Sequence, residues 1–128
     1  MANKYQELEG LSVSIDDVVY MPTLDAPEDK PHPFVYFITI TNKSTERIRI
    51  TARKWIVREQ NGEIVVVEGD GVVGQTPVLD SGETFSYNSY HVIADEALVK
   101  GAFFGTTDMG SRVRATIPDF KLDLPDWA

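Results

Sequence analysis

The 128-residue chain has no cysteine and only two histidines. The first absence removes disulfides, thiolate metal sites and cysteine nucleophiles, and it suits a reducing compartment. The second leaves few side chains able to move a proton near neutral pH. His32 lies between Pro31 and Pro33 in a rigid extended loop, and His91 ends a strand pattern shortly before Asp95 and Glu96. One histidine near two acids falls short of the convergent ligand set a metal needs, so no metal site and no cofactor are expected. No G-x-S-x-G stretch marks a serine nucleophile either. The sequence recommends no enzyme chemistry.

Long apolar runs are also missing. The longest clean one, residues 34–38, is far short of the ~20 residues of a membrane helix. The opening MANKYQELEG has no apolar core of a secretory signal. A soluble, cytoplasmic protein without membrane contact is expected. Positive charge is scarce: 12 Lys and Arg against 20 Asp and Glu leave a net charge of −8. That balance argues against nonspecific binding to nucleic acid, and no nucleic-acid partner is expected.

What is present is a strand period. Phe34, Tyr36, Ile38 and Ile40 share one face, and Val35, Phe37, Thr39 and Thr41 the other. Ile48 and Ile50 alternate with Arg47, Arg49 and Thr51; the apolar phase then shifts before Trp55 and Val57, which predicts a bulge near Ala52 and Arg53. Asn61-Gly62 predicts a type I′ hairpin turn into a strand over residues 64–67. Further strands are read at residues 11–20, 84–89, 101–107 and 112–117, with a single helical turn over 94–98 and Pro118 ending regular pairing. Residues 22–33 carry four prolines and read as a loop. Short strands with turns every 8–12 residues or so indicate an all-β, seven-stranded antiparallel sandwich of the immunoglobulin or fibronectin type III kind. Residues 1–10 read as a flexible tail and residues 11–128 as one domain.

The stretch EGDGVVGQ places Gly69, Gly71 and Gly74 at G-x-G-x-x-G spacing, which in other folds cradles a pyrophosphate. A dinucleotide loop needs a helix behind it, and nothing apolar with helical spacing follows Pro77. Two readings stand: glycines that shape an irregular loop, or bare N–H groups forming a small anion nest for pyrophosphate or a nucleotide. Arg47 and Arg49 share one strand face, as do Arg112 and Arg114 on another. They form either a basic patch for an acidic or phosphate-rich ligand or a solvated face paired to Glu46, Glu59, Glu63 or Asp108. Asp16-Asp17 sit inside a strand pattern, on opposite faces, and mark a bulge or guarded edge rather than a catalytic dyad.

Four blocks, FVYFITITNKS, ITARKWIVREQNG, VEGDGVVGQTPVLDSGETFSYNS and IPDFKLDLP, resemble the ApaG domain in content and order. The resemblance rests on Arg53-x-Trp55, the Gly-Val-Val-Gly run, the acidic turn before Phe85 and the closing Ile-Pro-x-Phe-x-Leu. Lys54 and Tyr90 stand where that family often has histidine and glycine. The resemblance implies a β-sandwich and, for Arg53 beside Trp55, a specific structural partner, either a carboxylate or an aromatic face. It implies a non-enzymatic binding module that recognises a protein partner or assembles with itself through an exposed sheet face or edge, with an indirect role in cobalt and magnesium balance. Small-anion binding at the glycine loop is the alternative.

Overall fold

A computed structural model describes residues 4–128. Among the described residues there is no helix, and nine strands follow in order: β1 (Gln6–Glu7), β2 (Leu11–Tyr20), β3 (His32–Asn42), β4 (Ile48–Glu59), β5 (Ile64–Asp70), β6 (Val78–Leu79), β7 (Thr84–Ile93), β8 (Ala97–Thr107) and β9 (Arg112–Leu122). Seven of them are 7 to 12 residues long, and β1 and β6 have two residues each. The larger sheet runs β1-β9-β8-β4-β5, with β6 also paired to β4; the smaller runs β2-β3-β7. Every pairing is antiparallel except β1 with β9.

The core lies between the sheets and follows the period-two pattern. Phe34, Tyr36, Ile38 and Ile40 of β3 are buried, opposite Ile48, Ile50, Trp55 and Val57 of β4. Trp55 and Phe103 are the largest fully buried side chains, with rings 6.3 Å apart edge to face. The phase shift in β4 is a register slip at Thr51: Ile50 pairs with Gly105, and Ala52 with Phe104. A second slip in β2 leaves Asp16 as the extra residue. Its carboxylate accepts hydrogen bonds from Ser14 Oγ at 2.8 Å and Thr39 Oγ1 at 2.5 Å. Those bonds, Thr39's foremost, hold its pKa below the usual carboxylate value.

Four local features differ from the sequence reading. Residues 94–95 form a bend rather than a helical turn, because the Ala94 and Asp95 N–H groups donate to the Glu59 carboxylate, and β8 starts at Ala97. Pro118 does not end β9. It sits at a register slip, where Gly101 pairs with Ile117 and Val99 with Phe120, so no ladder N–H is demanded of it. Only Gly62 of Asn61-Gly62 has positive φ, at 95°. Glu59 N–H bonds to the Glu63 carbonyl, which gives a three-residue loop in place of a type I′ turn. At the N-terminus, where a loose tail over residues 1–10 is expected, Gln6–Glu7 pair with β9 and Leu8 packs against the core. Residues 1–3 lie outside the described residues.

Candidate functional site

The glycine loop follows β5 and turns back on itself. Val72 N–H donates to the Gln75 carbonyl at 2.7 Å, and Gln75 N–H returns the bond at 2.9 Å. The two residues between, Val73 and Gly74, have φ of 44° and 79°. That is a type I′ turn, in a β-branched residue that resists it. Gly71 (φ 67°) donates to the Thr51 carbonyl at 2.7 Å. A Cβ there would lie 2.4 Å from the Gln75 carbonyl oxygen. At Gly69 a Cβ would lie 2.8 Å from Arg53 Nη1. Each of the three glycines thus has a backbone or packing cause. The chain continues from this turn to β6, not to a helix, and Val72 anchors it with a fully buried side chain.

Arg53 shares a strand face with Trp55, since the two are two residues apart. Its Nη1 donates to the carbonyl oxygens of Asp70 at 2.8 Å and Gly71 at 3.2 Å. The partner expected for Arg53 is therefore loop backbone, rather than a carboxylate or a ring. Arg53 ties β4 to the start of the turn, and Gly69 leaves the room it needs. Beside it a groove of about 540 Å³ is lined by Tyr5, Lys54, Glu68, Asp70 and Phe104 among others.

The flank of the sandwich between β5 and β7 is open. Among the described residues β5 is paired only to β4, and its other edge carries no strand. Residues 64–67 are all apolar, and Ile64, Val66 and Val67 are 52%, 53% and 37% exposed. Across the opening stands β7, the edge of the smaller sheet, with Tyr90 44% exposed. A cleft of about 190 Å³ runs between them, lined by Val57, Val65, Val67, Tyr90, His91, Val92 and Lys30. His91 stacks on Tyr36 at 4.9 Å and meets Trp55 edge on at 5.1 Å. Burial pushes its pKa down to about 4, which keeps it neutral at pH 7. Its Nε2 and the Tyr87 Oη are buried without a hydrogen-bond partner among the described residues. The arrangement offers an apolar slot backed by neutral aromatic rings.

Lys30, which lines this cleft, is ion-paired to Glu59. The Glu59 side chain is wholly buried, and it accepts Lys30 Nζ at 2.5 Å as well as the two N–H groups named above. Burial pushes the carboxyl upward, but the Lys30, Asp95 and Ala94 bonds outweigh it, and the net pKa is lowered. Lys30 also pairs with Glu63 at 2.9 Å.

The four arginines lie on or beside the outer face of the larger sheet. Arg47 pairs with Asp80 at 3.3 Å, and Arg114 with Glu7 at 3.2 Å, so the acids involved are not those expected from sequence. Arg49 and Arg112 are in no ion pair among the described residues. Among the described residues no group of three or more His, Asp or Glu is placed to hold a metal, and no helix is long and apolar enough to cross a membrane. Trp127 is 73% exposed, with its ring 5.5 Å from that of Tyr20.

Residues 22–107 match the family model of the ApaG domain. The chain belongs to the ApaG domain family. It is 35% identical over 107 residues to protein ApaG of Shewanella sp. (strain MR-7), covering 83% of this chain and 85% of that one. With protein ApaG of Brucella canis it shares 30% over 118 residues, 91% of this chain and 90% of the other. A crystal structure of an ApaA protein from Bordetella pertussis superposes with a TM-score of 0.82 at 28% identity, covering 95% and 98% of the two chains. The ApaG fold alone is shared with a late embryogenesis abundant protein, at TM-score 0.56 and 13% identity over 92% of this chain and 73% of that one. In this ApaG domain, Arg53-x-Trp55 and the Gly-Val-Val-Gly run are parts of one device, an arginine holding a tight turn against the core.

The sequence reading placed no function at Glu59, Lys30 or the β5 edge. The apolar run over residues 64–67 was visible. That it lies at a sheet edge depends on strand order, which local pattern does not carry. A buried acid answering a lysine 29 residues away has no local signal at all.

Proposed function

We propose that this ApaG domain is a non-enzymatic binding module whose partner contact is the open edge of β5. The carrying observation is the row of apolar side chains at residues 64–67 on a strand with one unpaired edge. Such an edge is a template for a further strand. The occupant is an extended segment of another protein, with an apolar centre and basic flanks. Charge complementarity argues for that over a second copy. In the antiparallel register that pairs residues 64–67 with themselves, Glu63 falls opposite Glu68 at both ends; both acids stay exposed beside their own partners Lys30 and Lys54, and like charges directly opposed are destabilising. The adjoining cleft, lined by Val57, Val65, Val67 and Val92, would receive side chains from the partner's inward face. Any part in cobalt or magnesium balance would then act through that partner.

The test is affinity capture from lysate with the parent chain, Val66→Lys and Arg58→Gln. Val66 is 53% exposed, so the lysine costs the fold little. A protein held by the parent and by Arg58→Gln but released by Val66→Lys supports the edge. Equal recovery with all three baits refutes it. Sedimentation of the parent should give a monomer.

A further inference from the structure

We propose that Arg49, Thr106 and Arg112 form a binding site for a phosphate monoester dianion on the outer face of the larger sheet. The site is separate from the β5 edge and does not depend on it. Strand register builds it: Arg49 of β4 is opposite Thr106 of β8, and Thr106 is opposite Arg112 of β9. Directly opposed residues share a face. Two strand spacings put the arginine stems about 10 Å apart, a gap that two long side chains leaning inward can close over Thr106.

The chemistry of the row is unspent. Its neighbours Arg47 and Arg114 are held by Asp80 and Glu7. Arg49 and Arg112 meet no carboxylate and donate no side-chain hydrogen bond among the described residues. The Thr106 hydroxyl is likewise without a bond. Two guanidinium forks and one hydroxyl suit the oxygens of a single phosphoryl group, and two positive charges balance a dianion. Arg112 lies over the Tyr5 ring, 6.0 Å from its centroid, which limits the directions its fork can take. Tyr5 in turn packs edge to face on Phe104 at 5.0 Å, giving an apolar wall beside the row. The net charge of −8 repels an extended polyanion. A compact group that meets only this row avoids that repulsion.

Titrations of the full chain, followed by amide shifts in a 15N NMR spectrum and by calorimetry, test this. The probes are inorganic phosphate, a phosphoseryl hexapeptide and the same peptide unphosphorylated. The expected result is saturable shifts centred on Arg49, Thr106 and Arg112, with a Kd at or below about 10 mM for a phosphorylated probe. Arg49→Gln and Arg112→Gln should each weaken binding about tenfold. Arg58→Gln, an exposed arginine in no ion pair among the described residues, should leave it unchanged. Equal affinity for phosphate and phosphopeptide assigns the site to a free anion, and tighter peptide binding assigns it to a partner's side chain. No saturable shift, equal loss with Arg58→Gln, or equal binding of the unphosphorylated peptide would overturn the proposal.

Discussion

Among the described residues Glu59 is the one acid held fully inside, and its removal strands the backbone groups it satisfies. Its carboxylate accepts Lys30 Nζ at 2.5 Å, Ala94 N–H at 2.9 Å and Asp95 N–H at 2.8 Å. Alanine at this position orphans two backbone donors, at about 1–3 kcal/mol each. Lys30 keeps Glu63, 2.9 Å away and half-exposed, so its charge is not stranded. Breaking a buried pair costs about 3–5 kcal/mol, and the surviving Glu63 contact places Glu59→Ala toward the lower end. Glu59→Gln retains an oxygen for the two N–H groups and should cost about 1–3 kcal/mol. The pH dependence has a definite sign. The folded pKa lies below the ordinary 4.5, so the unfolded chain takes up the proton first as pH falls. The stabilisation is present above about pH 4.5 and is lost below it. Urea unfolding followed by Trp55 fluorescence at pH 7 and at lower pH measures both effects. A cost under about 1 kcal/mol for alanine would refute the reasoning. So would a glutamine variant with the parent's full acid loss below that pH.

Three further outcomes are expected. Gly71→Ala forces a Cβ to 2.4 Å from the Gln75 carbonyl at positive φ, and it should lower stability by about 1–3 kcal/mol in denaturant unfolding. Val73→Asn relieves a β-branched residue at φ 44° and gives the turn its preferred Asn-Gly pair, so the melting temperature should rise by a few degrees; a fall would contradict the turn assignment. NMR titration of His91 should give a pKa near 4. Because that value lies below the ordinary 6.5, the stability due to neutral His91 is lost as pH falls from about 6.5 to 4. This window lies above that of Glu59, and His91→Phe should remove the slope within it.

Much of the fold was legible in the chain. The alternation of Phe34, Tyr36, Ile38 and Ile40 and the phase break before Trp55 are local signals, and both the strand and the bulge are there, the bulge at Thr51. The seven long strands match the count expected. Turn chemistry was less legible. Asn61-Gly62 has the type I′ sequence but a three-residue loop, while Val73-Gly74 adopts positive φ at both positions with a β-branched residue at the first. There Arg53 and the buried Val72 hold the chain, so tertiary contact overrides local preference. Pro118 misled for a similar reason, since a register slip removes the need for its missing N–H. In the candidate site, the arginine row was half legible. Alternation put Arg49 and Arg112 on strand faces, but only strand order sets Thr106 between them and leaves Arg47 and Arg114 to Asp80 and Glu7.

Hydrogen exchange of the β5 amides tests most directly whether this edge is the partner contact. With a partner captured by the parent chain and released by Val66→Lys, exchange should slow across Ile64–Asp70 in the complex, while the outer strands β1 and β2 are unchanged. Protection confined to other strands, with β5 exchanging as in the free chain, would contradict it.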